Sequence, residues 1–474
     1  MSDLSELSAL ETAAAIRERQ VSAVEVTEAA LRRAEGDAWG AFVTLAPDLA
    51  LAQAAELDRR LAADPGFDRP LLGVPCPIKD LNPVAGVGFE AGSTAMRGNV
   101  AEIDDGIVEW LREAGTVMLG KTATPEFGFP CYTEPDGRPP ATTPWDPTRS
   151  AGGSSGGAAA AVAAGIVPIA QASDGGGSIR IPASACGLVG LKPSRGRISS
   201  GPLMAPGPGL GTAGVVTRTV ADTAAALDVL AGYRTGDTYL APEPSDSFLA
   251  ATRERPAGLR IGVLTTPVIA EAEVHPACLG AAAAATVLLQ ELGHRVDEAP
   301  VPFPVERWDA FTALWTVGAA SIPLPPEAEP LLTPLTRWLR EEGRKVSALE
   351  HAAALAELQR LTREVALAWH DFDLVLTPTL AQPPAPLGSL RDDANPAGDF
   401  AAQTRFTPWT SVSNLAGLPS ISLPLSATAI DGVRLPIGIM LTARFGAEET
   451  LLAVAASLEE AVSGFERPAN VVYA

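Results

Sequence analysis

Between Pro144 and Ser199 the chain runs PWDPTRSAGGSSGGAAAAVAAGIVPIAQASDGGGSIRIPASACGLVGLKPSRGRIS, where small side chains dominate and charge is sparse. Such a stretch suits close approach of backbone to backbone, and two glycine-rich segments within it suit chemistry. Gly175, Gly176 and Gly177 can take the dihedrals that turn consecutive N–H groups toward one point, the arrangement an oxyanion hole requires. Ser178 follows at once, where its hydroxyl could attack a carbonyl whose oxygen sits among those donors. A serine needs a base, and the histidines at 275, 294, 351 and 370 lie far from both segments. Lys79 ends the apolar run GVPCPIK. A lysine desolvated there has its charged form disfavoured and can act as a neutral amine, as in Ser-Lys pairs. Alone, a glycine triplet is more often a tight turn and a lysine after a strand a solvated end. Their combination is what carries information.

Composition sets the surroundings. The chain has 474 residues, 47% hydrophobic and 19% charged, enough apolar material for a packed core. Its net charge of -21 repels phosphate backbones and anionic headgroups, so neither nucleic acid nor a membrane surface is an expected partner. The beginning, MSDLSELSAL, has no basic segment leading into an apolar one, and the most apolar run, residues 158–172, is broken by Gly165 and Pro168. It falls short of the roughly 18 residues of a spanning helix, and a cytoplasmic protein is expected. Cysteines at 76, 131, 186 and 278 show no metal-binding spacing and read as reduced thiols. No metal site is expected.

Two helices open the chain, with Ser22 and Glu25 spaced as a capping box. β-like runs at 41–45, 73–79, 115–120, 166–170, 259–264 and 373–378 then alternate with helical stretches around 104–113, 219–230, 276–292 and 448–460. That rhythm predicts an α/β fold with helices layered on a sheet. Residues 321–334 and 385–410, rich in proline with glycine or acid, read as surface excursions. With no internal repeat, residues 1–474 read as one catalytic unit, locally elaborated between about 235 and 395.

Three motif matches fail on context. GTVMLGKT (115–122) fits a phosphate loop, but Thr116–Leu119 reads as strand where a flexible loop is needed. GLGTAG (209–214) follows the proline-broken PLMAPGP instead of a strand, and reads as loop. GGSSG (152–156) fits a nucleophile elbow with Ser154 and a distant His370, yet TTPWDPTRSA before it is no buried strand.

The constellation resembles the amidase signature family, serine hydrolases that cleave amide bonds with a Ser-Ser-Lys triad. GGSSGG (152–157) and the segment from Asp174 to Arg197 match its pattern, with Ser154 and Ser178 at the family's spacing, and Lys79 stands in GVPxxxKD. GKTATPEFG, VVTRTVADTAAALDVLAG, NLAGLPSISLP and LPIGIMLTARFGAEETLL also match. The resemblance spans nearly the whole chain and is weakest between about 235 and 370. It implies a three-layer α/β/α fold around a mixed, twisted sheet. It further implies Ser178 as the acylated nucleophile, Ser154 as a bridging serine on a cis peptide bond, and Lys79 as neutral base. Gly175, Gly176, Gly177 and Ser178 would supply the oxyanion hole, while Ser155, Asp174 and Arg180 would support the site by hydrogen bonds.

No cofactor is implied. The substrate would be a small-molecule amide, lactam or carbamate, and a homodimer is expected. An esterase and a partner-dependent amidotransferase subunit are the alternatives, the latter disfavoured by the complete triad. Gly175 stands where the family usually has Thr or Ser, Ile181 where amidotransferase subunits tend to be polar, and Met440 where many members have Gln. TTPWDPTRSAGGSSGG and LAGYRTGDTYLAP are similar to 6-aminohexanoate cyclic dimer hydrolases. Phe311, Trp315 and Trp409 lie in segments that could line an apolar pocket.

Overall fold

Strand alternation builds two cores at once in this protein. In the computed structural model, which describes residues 4–64, 66–203 and 207–468, eight strands form the main sheet among those residues. Met1–Asp3 and Met204–Pro206, parts of the opening segment and of the PLMAPGP loop, lie outside the described residues. The strands are β1 (Ile169–Asp174), β2 (Val189–Lys192), β3 (Thr212–Thr217), β4 (Arg260–Val263), β5 (Arg295–Glu298), β6 (Leu374–Pro378), β7 (Ser420–Ile430) and β8 (Val433–Ala443). Their order is β5-β4-β6-β8-β7-β2-β3-β1. β4 runs parallel to β5 and β6, and the remaining pairs are antiparallel.

Because successive side chains point to opposite faces, Leu374, Leu376, Ile439 and Leu441 enter one core, while Val375 and Met440 enter another. The first core is closed by the helices Val220–Leu230, Pro276–Glu291 and Glu448–Ala461, giving the layered α/β architecture. Each fully buried Leu or Ile there contributes about 1.5–3 kcal/mol.

A three-stranded sheet, with Gly120–Thr122 between Phe42–Leu45 and Ile78–Lys79, packs beside β1. Against it lies helix α1 (Gly156–Ala163), whose residues are all buried. A Cβ on Gly157 would fall 2.3 Å from Ala123 N and 2.5 Å from Ala41 O, so the small residues of this stretch are required by contact between backbones. Helix α2 (Arg180–Cys186) follows β1 and ends at Gly187, whose φ of 71° suits glycine. Helices α3 (Asp309–Ala320), α4 (Pro334–Lys345), α5 (Pro396–Phe406) and α6 (Thr410–Ala416) complete the walls of the site.

The structure differs from expectation at four places. Residues 385–410 are a surface loop only in their first part, 386–394, which is exposed or half-buried; Asn395 then caps α5 with Pro396 at its first position, and Asp399, Gln403, Phe406 and Trp409 are buried. The run 115–120 is strand only at Gly120, because Val117 makes just an isolated bridge to Pro75. GLGTAG enters β3 at Thr212. The stretch expected to be elaboration supplies β4, β5 and β6 of the main sheet as well as α3 and α4.

Candidate active site

Lys79 reaches the site from the small sheet. Ile78 and Lys79 pair with Lys121 and Thr122, and the strand is docked to β1 by Gln171 N donating to Pro77 O at 3.0 Å and Lys79 N donating to Gln171 Oε1 at 2.9 Å. With its backbone fixed on both sides, the side chain is fully buried. Nζ lies 2.8 Å from Ser154 Oγ and 3.2 Å from Ser173 Oγ. Burial strips the ammonium of hydration and pushes its pKa down to about 7, with the Asp174 charge pulling the other way. At neutral pH much of the amine is therefore uncharged, and Ser154 O–H then donates to it.

Ser154 follows Gly153 across a cis peptide bond just before α1. Ser155 Oγ donates to Ser173 O at 3.2 Å and accepts from Ser173 N at 3.4 Å, which fastens this turn to β1. Ser178 stands past the end of β1 and lines a cavity of about 60 Å³ together with Gly176, Ile181, Phe129, Phe311 and Trp315. Among the described residues no hydrogen bond joins Ser178 to Ser154, so the structure brings Lys79 and Ser154 into contact and leaves Ser178 facing the cavity.

The glycine triplet needs one correction. Gly177 N already donates to Asp174 Oδ1 at 2.7 Å, so it is engaged within the turn. The N–H groups of Gly175, Gly176 and Ser178 donate to no group among the described residues. Gly177 has φ of 134°, and a Cβ there would fall 2.5 Å from Thr410 Oγ1. Its part is to bend the chain tightly. Thr410 and Ser411 hydroxyls both donate to Gly176 O, at 2.7 and 2.8 Å, and fix the orientation of that peptide.

Asp174 and Arg180 form the buried brace behind the turn. Arg180 Nε and Nη2 donate to the two carboxylate oxygens at 3.0 and 2.9 Å, and both side chains are fully buried. Burial alone raises the pKa of Asp174, but the Arg180 charge and hydrogen bonds from Arg180 and Asn414 outweigh it and hold the carboxyl below the usual carboxylate range. Arg180 also reaches Thr410 O at 2.7 Å, Asn414 Oδ1 at 2.7 Å, Ser420 Oγ at 3.0 Å and Met440 Sδ at 3.3 Å. Met440, in place of a glutamine, thus presents a weak sulfur acceptor to this guanidinium.

Lys192 is likewise fully buried with its pKa pushed down to about 7, first by burial and then by the Arg180 charge. Its Nζ donates to Pro193 O at 2.7 Å and forms no hydrogen bond with Ser154 or Ser178 among the described residues. Lys121, the lysine of the phosphate-loop match, pairs with Asp80 at 3.1 Å and donates to Asn82 O at 2.7 Å. His370, the elbow candidate, is exposed just beyond helix Ala348–Ala368. Phe311 and Trp315 line the cavity, whereas Trp409 is in the core with Nε1 donating to Thr266 O at 2.9 Å.

Sequence reasoning missed Ser173, Thr410, Ser411 and Asn414. Ser173 had a signal, since it precedes Asp174 on β1. The other three reach the site only through tertiary folding, Asn414 lying 240 residues from the Asp174 it contacts.

The amidase family model matches residues 25–452. The chain is 35% identical over 419 residues to a 6-aminohexanoate-cyclic-dimer hydrolase of Paenarthrobacter ureafaciens, covering 83% of this chain and 84% of that one. It is 33% identical over 470 residues to an acylamidase of Rhodococcus erythropolis, covering 96% and 95%. A solved structure of 6-aminohexanoate cyclic dimer hydrolase superposes with a TM-score of 0.89 at 32% identity, covering 100% of each chain.

Proposed function

Because the chain belongs to the amidase family and is a hydrolase of carbon-nitrogen bonds in amides, we propose that Ser178 is its acylated nucleophile, Ser154 its proton bridge and Lys79 its base. The single observation that supports this most is a fully buried Lys79 amine, its pKa near neutrality, 2.8 Å from Ser154 Oγ.

In the proposed sequence neutral Lys79 takes the proton of Ser154 as Ser154 takes that of Ser178, and Ser178 Oγ bonds to the carbonyl carbon. Charge that develops on the carbonyl oxygen is met by the N–H groups of Gly175, Gly176 and Ser178, each donor being worth about 3 kcal/mol in such sites. Collapse breaks the C–N bond while the proton returns through Ser154 to the leaving nitrogen. Water then repeats the relay and releases the acid.

The cavity beside Ser178 has no ionised side chain in its lining, which favours an uncharged substrate: a linear amide, a lactam or a carbamate. The named activities of the cyclic dimer hydrolase and the acylamidase lie within that range. No helix among the described residues is long and apolar enough to cross a membrane. The same reading has the enzyme work in the cytoplasm on a small molecule, as a homodimer and away from nucleic acid.

Peptide mapping after treatment with a fluorophosphonate tests the assignment. The expected result is a single modified peptide with the label on Ser178. Label on Ser154, or none, contradicts it.

A further inference from the structure

Trp315 lies directly over the backbone that carries the proposed oxyanion donors. Its Cη2 and Cζ3 are each 3.5 Å from where a Cβ on Gly175 would sit, and Cη2 is 3.9 Å from one on Gly176. A Cβ at residue 175 would thus be in ordinary van der Waals contact with the indole, which packs close against this turn.

The indole is held on several sides. It stacks on Phe311 at 5.4 Å and 19°, Phe311 stacks on Trp308 at 4.1 Å and 15°, and Phe129 meets Trp315 edge-on at 5.7 Å. Helix α3, which carries it, is pressed against α4, where a Cβ on Gly343 would fall 2.0 Å from Thr316 O. Trp315 is thus a fixed wall of the cavity in which Ser178 stands. That cavity is small, about 60 Å³, and its lining is mostly apolar and aromatic.

Resting on the reading of Ser178 as nucleophile, we propose that Trp315 sets the length of acyl group the enzyme accepts, admitting short uncharged acyl chains and excluding longer ones by collision with its indole.

The test compares kcat/KM for acetyl, butyryl, hexanoyl and octanoyl p-nitroanilides in the wild type, Trp315→Ala and Trp315→Phe, with fluorophosphonate mapping of each protein. The wild type is expected to decline along the series. In Trp315→Ala the octanoyl-to-acetyl ratio is expected to rise by at least about tenfold, since even one misfitting methylene commonly changes discrimination that much. Trp315→Phe, which keeps an aromatic wall, should rise by less and serves if the alanine variant fails to fold. A wild type that already prefers octanoyl, or an unchanged ratio in the folded variants with Ser178 still labelled, overturns the length limit alone. Absence of label from wild-type Ser178 overturns the nucleophile assignment and the length limit with it.

Discussion

Replacing Lys79 with methionine is expected to lower amide turnover on the order of 10⁴-fold while leaving the folded protein as stable as before or more so. A general base contributes about 10²–10⁴-fold by itself, and residues that act as one relay lose nearly the whole effect when a single member goes. Stability should move the other way. The amine is fully buried and its pKa is depressed by desolvation, so its charged form is disfavoured in the folded state. Methionine is unbranched, of similar length, and carries no charge to desolvate. Steady-state kinetics and urea unfolding of one preparation check both halves. A variant that retains turnover, or that loses it only because it unfolds, contradicts the assigned role.

The second large effect concerns the brace. Arg180→Met should destabilise the protein by about 3–5 kcal/mol at pH 7, because Asp174 loses its ion-pair partner in the interior. The loss extends to Thr410 O, Asn414 and Ser420, which would each give up a donor. Its pH dependence has a definite sign. In the wild type the folded pKa of Asp174 lies below the ordinary value, so the pair's contribution is present above about pH 4 and fades as pH falls toward the folded pKa. In the variant the Arg180 charge and hydrogen bonds that hold this pKa down are gone, so it rises, and protonation then relieves the penalty. The difference between wild type and variant should therefore shrink from pH 7 toward pH 4. A difference that is small at pH 7 would show that the brace contributes little.

These two residues also illustrate what the sequence discloses. Lys79 and Ser178 could be proposed from residue type and local context, Ser154 as a bridge only from the resemblance, and the structure places Lys79 Nζ 2.8 Å from Ser154 Oγ. The Ser22–Glu25 capping box was legible from local spacing and is present at its helix. What Arg180 holds was not legible, since its partners at 410, 414, 420 and 440 are brought to it by β7, β8 and α6 from far along the chain. The second part of 385–410 misled because proline and acid counted as loop signals. Asn395 followed by Pro396 is equally a helix start, and α5 lends Phe400, Gln403 and Thr404 to the cavity wall. Gly177 misled differently: spacing offers its N–H to a substrate, while the folded turn gives it to Asp174.

If a neutral, buried Lys79 activates Ser178 through Ser154, the fluorophosphonate labelling rate at Ser178 carries the ionisation of that amine. The rate should rise with pH through a single ionisation near 7 and level off above it, as the amine sheds its proton. Because Lys192 is also pushed to about 7, the comparison with Lys79→Met decides the source: that limb should vanish along with most of the labelling. A rate that is flat from pH 6 to 9, or a limb that persists unchanged in Lys79→Met, would contradict the claim.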